Sequence, residues 1–218
     1  ATIADQIKGL GANLVFIQGS FGRGRPGAAD DTPQLVYDDV SLVAGIKGVV
    51  GTAVEMPVNQ AIKVGSTTLT DVEIVGTTPD FPSVREAPVA DGRFLNESDV
   101  ERKTKVAVIG SGLAKELFGD ADPIGQSITA GNVKLTVIGV MKSKGTVGNT
   151  DYDARMYVPI TLVFDRFVPA QFARFIGNRV QLIYAQVDES ANMDDVMTQI
   201  KLKLANSKEI TVDELPFT

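Results

Sequence analysis

The chain has 218 residues, 44% of them hydrophobic, and a formal net charge of −6. This length and composition allow one large domain or two small ones with a real core. The negative charge argues against nucleic acid or anionic lipid as a main partner, because both select basic surfaces. Cysteine and histidine are absent, which excludes thiol nucleophiles, Cys or His metal sites, Ser-His-Asp triads and imidazole bases.

The first third of the chain predicts strands and helices in alternation. A buried strand is expected over 14–17, followed by a glycine-rich loop over 19–31. The apolar spacing predicts a helix over 32–47. A long strand over 49–64 is expected to break near Pro57, because proline removes a backbone donor.

The next segment predicts one strand and then an irregular region. Gly65-Ser66 forms a turn and residues 68–75 alternate as a strand. Residues 77–99 contain three prolines, and we expect them to form an irregular loop that packs through its aromatic side chains.

The stretch from Val106 to Met141 predicts a compact β-rich arrangement. Its parts are a strand over 106–109, a short helix ended by Gly119, and a hairpin whose turn is Gly131-Asn132. The opening letters resemble a dinucleotide-binding fingerprint, but Lys115 stands where the third glycine is required. The pattern therefore does not support a dinucleotide site.

The last third continues the alternation, after a polar loop over 145–153. The expected order is strand, helix, strand, helix, strand, over 156–160, 161–176, 180–187, 194–204 and 209–212. Thr161 is expected to cap the first of these helices. Its four phenylalanines form either core packing or an apolar patch that faces a partner: Phe164, Phe167, Phe172 and Phe175.

The two ends of the chain each read as strand, helix, strand, and two such halves form a ferredoxin-like α/β sandwich. We therefore predict an α+β fold in which residues 1–66 and 177–218 form a porter-like α/β subdomain. Residues 67–176 form a small β-rich subdomain inserted between them. The first residues read as the end of an amphipathic helix, so we expect a piece of a longer protein, and no stretch is apolar enough to span a membrane.

Several motifs together resemble one family. They are Val72–Asp80 (VEIVGTTPD), Gly92-Arg93-Phe94, Leu117–Gly125 (LFGDADPIG), Val137–Val140 (VIGV) and Tyr157–Ile160 (YVPI). In this order they are similar to the periplasmic core domain of MacB-like ABC transporter permeases, a group that includes FtsX-like permeases. The resemblance covers nearly the whole chain.

The resemblance implies a non-catalytic domain of a plasma (inner) membrane protein, on its periplasmic or extracellular side. The domain would lie between the first two of four membrane helices absent from this chain. ATP and Mg²⁺ would bind a separate nucleotide-binding domain or subunit, so the chain itself would hold no cofactor, metal or catalytic residue. The full-length permease would be a homodimer. It would couple cytoplasmic ATP hydrolysis to periplasmic export or efflux through contacts with a periplasmic adaptor (membrane fusion) protein or with the partner protomer.

If both ends attach to membrane helices, the loop over 19–32 and the turn over 206–208 lie at the membrane-distal end. A partner above the membrane would meet these segments first. We therefore predict partner binding by the residues Phe21, Arg23, Arg25, Asn206 and Lys208.

Three alternatives stay open. The chain could be an FtsX-like regulatory domain that recruits or activates a cell-wall hydrolase, or a lipoprotein-carrier permease domain, which a wide apolar groove would favour. It could also be a hydrolase with carboxylate pairs, although solvated charges in a loop and at a helix N-terminus explain these residues: Asp30, Asp31, Asp38 and Asp39.

Overall fold

The computed structural model describes residues 13–19, 34–173 and 177–215. The chain forms two compact units: unit 1 contains residues 1–54 and 178–218, and unit 2 contains residues 55–177. Unit 2 is thus inserted in the chain between the two parts of unit 1. The sequence places the first boundary at residue 66, whereas the units divide between Val54 and Glu55, inside one long strand.

The described residues form these strands: β1 Asn13–Gln18, β2 Val49–Val64, β3 Thr67–Thr77, β4 Val89–Gly92, β5 Val106–Ile109, β6 Ser127–Ala130, β7 Val133–Met141, β8 Thr146–Val147, β9 Thr150–Asp151, β10 Met156–Pro159 and β11 Leu182–Val187. They form these helices: α1 Asp39–Ala44, α2 Phe81–Val84, α3 Glu97–Arg102, α4 Ser111–Phe118, α5 Ile160–Leu162 and α6 Met193–Ser207. None of these helices is long and apolar enough to cross a membrane.

Unit 1 is an α/β sandwich. β1 pairs antiparallel with β11, with Asn13 opposite Val187, and β11 lies next to β2. α1 packs against α6, which buries the apolar stripe Val196, Ile200 and Leu204 at a spacing of four residues. The predicted strand over 14–17 and the predicted helix over 194–204 are therefore confirmed.

Two predictions in unit 1 are wrong. Of the described part of the predicted helix over 32–47, only Asp39–Ala44 is helical. The backbone N–H of Val36 donates to the Asp39 carboxylate at 2.9 Å, and Val36 forms a β-bridge with Arg179 instead of a helical turn.

The predicted final strand over 209–212 is not formed, because Val212–Glu214 is a 3₁₀ helix. The Glu214 carboxylate accepts hydrogen bonds from the backbone N–H and the hydroxyl of Thr211, at 2.8 and 3.0 Å. Local side-chain bonds of this kind compete with strand pairing.

Unit 2 closes six strands into a ring. β2 pairs antiparallel with β3, β3 runs parallel to β10, and β10 pairs antiparallel with β5. β5 runs parallel to β7, β7 pairs antiparallel with β6, and β6 returns to β2 at Ile62 and Lys63. β4 extends the ring beside β7. Closure satisfies strand edges that would otherwise be open.

The interior of the ring follows the period of two that strands impose. On β7, Val133, Leu135 and Val137 are buried, whereas Lys134 and Thr136 are exposed. The predicted strand, helix and hairpin over 106–141 are confirmed, as is the turn at Gly131, whose φ of 58° suits glycine. The α+β fold with a β-rich inserted part is thereby confirmed.

Other predictions in unit 2 need correction. β2 continues through Pro57, which lies opposite Val75 in the ladder. The segment over 77–99 is not an irregular loop, because it contains α2, β4 and the start of α3. Its aromatic packing is nevertheless present, since Phe81 lies 4.8 Å and Phe94 5.8 Å from the Tyr157 ring, centroid to centroid.

The helix predicted over 161–176 begins at Ile160, continues as a π-helical turn over Val163–Phe167 and ends there. Thr161 does not cap it, because its hydroxyl donates to the Val100 carbonyl. Of its phenylalanines, Phe167 is buried, Phe164 is half-buried and Phe172 is 47% exposed, whereas Phe175 lies outside the described residues. The loop over 145–153 contains the small hairpin of β8 and β9.

Candidate functional site

The predicted partner-binding residues have different positions. Phe21, Arg23 and Arg25 lie outside the described residues. Asn206 is exposed near the end of α6. The ammonium of Lys208 donates to the Gln34 carbonyl at 2.8 Å and to the Asp39 carboxylate at 2.9 Å. Lys208 therefore supports the interior of unit 1, and partner binding by these residues stays a prediction.

Unit 1 contains a groove of about 670 Å³ between the turn that joins α1 to β2 and the first turns of α6. Its apolar floor includes the buried side chains of Ile46 and Val196. Gly48, with a φ of 96°, lets the turn approach the floor: a Cβ there would stand 3.0 Å from Ala191 and from Val196. The sequence builds this groove from residues more than 130 positions apart, so no local pattern could predict it.

Four charged side chains line the groove: Lys47, Asp188, Asp195 and Lys203. All four are exposed, and none of them forms an ion pair with another described residue. The hydroxyl and the backbone N–H of Ser190 donate to Asp188 and hold the pKa of its carboxyl below the usual value. The groove therefore presents both signs of charge around an apolar floor.

Unit 2 contains a buried ion-pair network centred on Arg155, which is only 5% exposed. Its two terminal nitrogens each lie 3.2 Å from the Glu55 carboxylate, and its Nε donates to Glu73 at 2.6 Å. Burial alone would lower the pKa of Arg155, but the Glu55 carboxylate outweighs burial and raises it. The network thus keeps a permanently charged guanidinium buried against its carboxylate partners within unit 2.

The Arg155 guanidinium also lies over two tyrosine rings, 5.2 Å from the centroid of Tyr152 and 5.8 Å from that of Tyr157. Burial raises the pKa of the Tyr157 hydroxyl above its ordinary value. These contacts fix the interior of unit 2 in one arrangement.

A second polar cluster supports the base of the β8–β9 hairpin. The Lys144 ammonium donates to the carbonyls of Arg85 and Glu86, at 2.6 and 3.0 Å, and burial lowers its pKa. The Asp153 carboxylate accepts from the Ser143 hydroxyl at 2.9 Å and from the Lys144 N–H at 2.8 Å. These hydrogen bonds hold the base of the hairpin in place and do not indicate a catalytic site.

The carboxylates that suggested a hydrolase are not brought together in the part of the chain that the structure describes. Asp38 is exposed, Asp39 is buried against Lys208, and Asp30 and Asp31 lie outside it. Among the described residues, no group of three or more acidic side chains could hold a metal ion. The sequence analysis did not predict the Arg155 network. Glu55 and Glu73 each interrupt an otherwise apolar strand, and a charged residue at such a position indicates a buried ion pair.

The MacB-like periplasmic core domain family matches residues 1–203. "Macrolide export ATP-binding/permease protein MacB" from Bdellovibrio bacteriovorus is 30% identical over 208 residues, which is 92% of this chain and 30% of that protein. "Pyoverdine export ATP-binding/permease protein PvdT" from Pseudomonas aeruginosa is 34% identical over 158 residues, 71% of this chain and 23% of that protein. The chain therefore spans less than a third of the length of these relatives.

Two solved structures share the fold. The periplasmic region of MacB from Actinobacillus actinomycetemcomitans has a TM-score of 0.78 at 19% identity, over 98% of this chain and 91% of that one. The extracellular domain of the noncanonic ABC-type transporter YknZ from Gram-positive bacteria has a TM-score of 0.73 at 18% identity, over 94% and 98%. The match over residues 1–203 confirms the resemblance: this chain belongs to the MacB-like periplasmic core domain family.

Proposed function

We propose that the chain is a non-catalytic extracytoplasmic domain of an ABC transporter permease that couples ATP hydrolysis elsewhere in the transporter to export. The observation that carries this proposal is the family match over residues 1–203, nearly the whole chain. The shared fold with a periplasmic region and with an extracellular domain supports a location outside the plasma (inner) membrane.

We propose that the ATP-dependent chemistry takes place outside this chain. The curated relatives are named as ATP-binding/permease proteins, and the chain matches less than a third of each of the two described above. The sequence contains no G-x-x-x-x-G-K-[ST] motif to cradle nucleotide phosphates. Our proposal therefore assigns ATP and Mg²⁺ to a nucleotide-binding domain or subunit and no cofactor to this chain.

The described contacts are consistent with a domain that transmits motion. Arg155, directly before β10, pairs with one carboxylate on β2 and one on β3, which are 100 and 82 positions away in the chain. A ring held by such nonlocal pairs moves as one body, because packed cores are not continuously deformable. A rigid body is what a coupling domain requires.

Within this proposal, a periplasmic adaptor binds the membrane-distal segments that contain Phe21, Arg23, Arg25 and Asn206, and the full-length permease is a homodimer. Lys208 contributes by holding the end of α6 against Asp39, 2.9 Å away. Two arginines in one segment favour an adaptor surface with exposed carboxylates, since arginine binds carboxylates bidentately.

The test uses the full-length permease in detergent or nanodiscs with its adaptor. R23E/R25E is expected to weaken adaptor binding at least about tenfold, because close charge pairs at interfaces couple by more than about 1.5 kcal/mol. The matched control is K63E/K134E, which reverses two exposed lysines of unit 2. Unchanged binding by R23E/R25E, or equal loss in the control, contradicts the proposed role of the arginines.

The FtsX-like regulatory alternative stays a prediction. The lipoprotein-carrier alternative expects a wide apolar groove, and the groove of unit 1 instead has four exposed charged side chains around its floor. An acyl chain in the groove would remove water from these charged side chains and offer them no hydrogen bond in return. The groove therefore does not favour a lipid cargo at this place.

A further inference from the structure

The outer face of α6 has an ordered pattern of charge. Asp195, Gln199 and Lys203 follow one another at intervals of four residues, and all three are exposed and line the groove. Their spacing forms a ridge along one side of the helix. The acidic end and the basic end of this ridge are about 12 Å apart, at a rise of 1.5 Å per residue.

Two exposed apolar side chains lie on α6 or in the groove. Leu202 on α6 is 48% exposed and follows Asp195 by seven residues, which places both on the outer face of the helix. Val50 lines the groove and is 59% exposed. Protein interfaces combine exposed apolar side chains of this kind with a rim of polar and charged ones.

We propose that two copies of this chain pair through α6, antiparallel, about a twofold axis near Gln199. In this arrangement Asp195 of each copy lies opposite Lys203 of the other, and Gln199 meets its own counterpart. The ridge of each helix lies in the groove of the other copy. The charged pairs form twice, as an isologous interface requires.

The charge pattern favours a second copy over a partner of a single charge sign. An acidic partner would satisfy the lysines of the groove and oppose its aspartates, and a basic partner would do the reverse. A surface with Asp195 and Lys203 at opposite ends of one ridge is complementary to itself when turned by 180°. The groove's other two charges, Lys47 and Asp188, also carry opposite signs.

This inference builds on the proposed homodimer of the full-length permease by naming a surface that the two protomers share. Its test uses the 218-residue chain alone, with no adaptor, nucleotide or membrane. Failure of the test would therefore leave the proposed transport function standing, and failure of the adaptor experiment would leave this interface standing.

The first experiment is a charge swap measured by sedimentation equilibrium from about 10 μM to 1 mM, the range expected for a small interface. The unchanged chain is expected to form dimers. D195K alone and K203E alone should each raise the dimer Kd at least about tenfold, because like charges then face each other. An equimolar mixture of D195K and K203E should form heterodimers with the Kd of the unchanged chain.

The matched controls are D194K and K201E, which reverse charges of the same types on a different side of α6. They should leave the dimer Kd within about twofold, as expected for charges outside the contact. A monomeric chain at 1 mM overturns the proposal. Equal effects in the controls, or a mixture of D195K and K203E that stays monomeric, overturn it as well.

A crosslink locates the axis independently. Because the chain contains no cysteine, Gln199→Cys introduces a single thiol, and a residue on a twofold axis can approach its counterpart closely enough for a disulfide. Mild oxidation should convert most of Q199C into a covalent dimer, and far-UV circular dichroism should match that of the unchanged chain. D194C, the control, should stay mostly monomeric, and equal crosslinking of the two variants overturns the proposed axis.

Discussion

The two units place their charged side chains differently. Unit 2 buries a charged arginine, since Arg155 is 5% exposed and pairs with two carboxylates. Unit 1 buries one ion pair, Lys208 with Asp39, and leaves the charges of its groove exposed and without ion pairs among the described residues. Interior charges fix a structure, whereas exposed unpaired charges remain available to a partner. Unit 2 therefore holds its charge in a buried network, and unit 1 carries the exposed charges that we propose meet a partner.

The largest expected effect comes from removing the buried arginine. Arg155→Met leaves the Glu55 side chain, 7% exposed, without its cation, and should lower the free energy of unfolding of unit 2 by about 3–5 kcal/mol. Urea unfolding followed by circular dichroism measures this loss.

The matched control for that variant is Glu73→Gln, because the Glu73 side chain is 41% exposed and exposed pairs contribute about 1 kcal/mol or less. Equal losses in the two variants would show that the network does not act through the buried Glu55 charge.

A smaller effect is expected in unit 1. Lys208→Met leaves the Asp39 carboxylate with the Val36 N–H as a donor, and should cost about 1.5–3 kcal/mol, the range for hydrogen bonds to charged groups. Lys201→Met on the same helix is the control and should stay within about 0.5 kcal/mol.

The two variants also test the division into units. If unit 1 and unit 2 unfold in separate steps, Lys208→Met should lower only the transition of unit 1, and Arg155→Met only that of unit 2. Thermal unfolding by calorimetry resolves the two steps. A shift of both transitions by either variant would contradict the separation of roles.

A backbone substitution should have a more modest effect. Gly119 ends α4 with φ 60° and ψ −123°, a conformation that costs other residues about 1–3 kcal/mol. Gly119→Ala should therefore destabilise unit 2 at the low end of this range, measured by urea unfolding. Gly45→Ala is the control, because Gly45 already has a φ of −78°, and a stability gain of up to about 1 kcal/mol is expected there.

The smallest expected effect depends on pH. Burial alone would raise the pKa of Asp153, but hydrogen bonds from Lys144, Ser143 and Gly145 outweigh it and lower the pKa below 3.8. A carboxyl group whose pKa is lower in the folded state than in the unfolded state stabilises the fold at pH values above its unfolded-state pKa. This stabilisation is lost as the pH falls through the folded-state pKa. Unit 2 should therefore lose stability below about pH 4, and Asp153→Asn should reduce this slope. An unchanged acid slope in this variant would exclude Asp153 as a contributor.

Strands with alternating apolar residues were predictable from the sequence. The ends of helices and strands that depend on side-chain hydrogen bonds were not. β3 and β7 alternate clearly, and both lie close to their predicted bounds. The strand expected over 209–212 failed because Glu214 bonds to Thr211 locally. The shortened helix at Asp39 depends on Val36 and on Lys208, a residue 169 positions away.

The candidate site was less predictable than the fold because it depends on distant pairs. Arg155 meets Glu55 across 100 positions, and the groove combines the turn at Gly48 with the start of α6. The sequence did indicate Asn206 and Lys208 as neighbours at the end of a helix. It did not indicate that Lys208 is held in an interior ion pair.

We propose that the chain couples ATP hydrolysis to export without performing chemistry itself. The most direct measurement compares export and ATP turnover by the full-length permease, in membranes, with and without residues 13–215, the ends being joined by a short linker. We expect the shortened permease still to hydrolyse ATP and no longer to export. Export at the rate of the complete permease would contradict it.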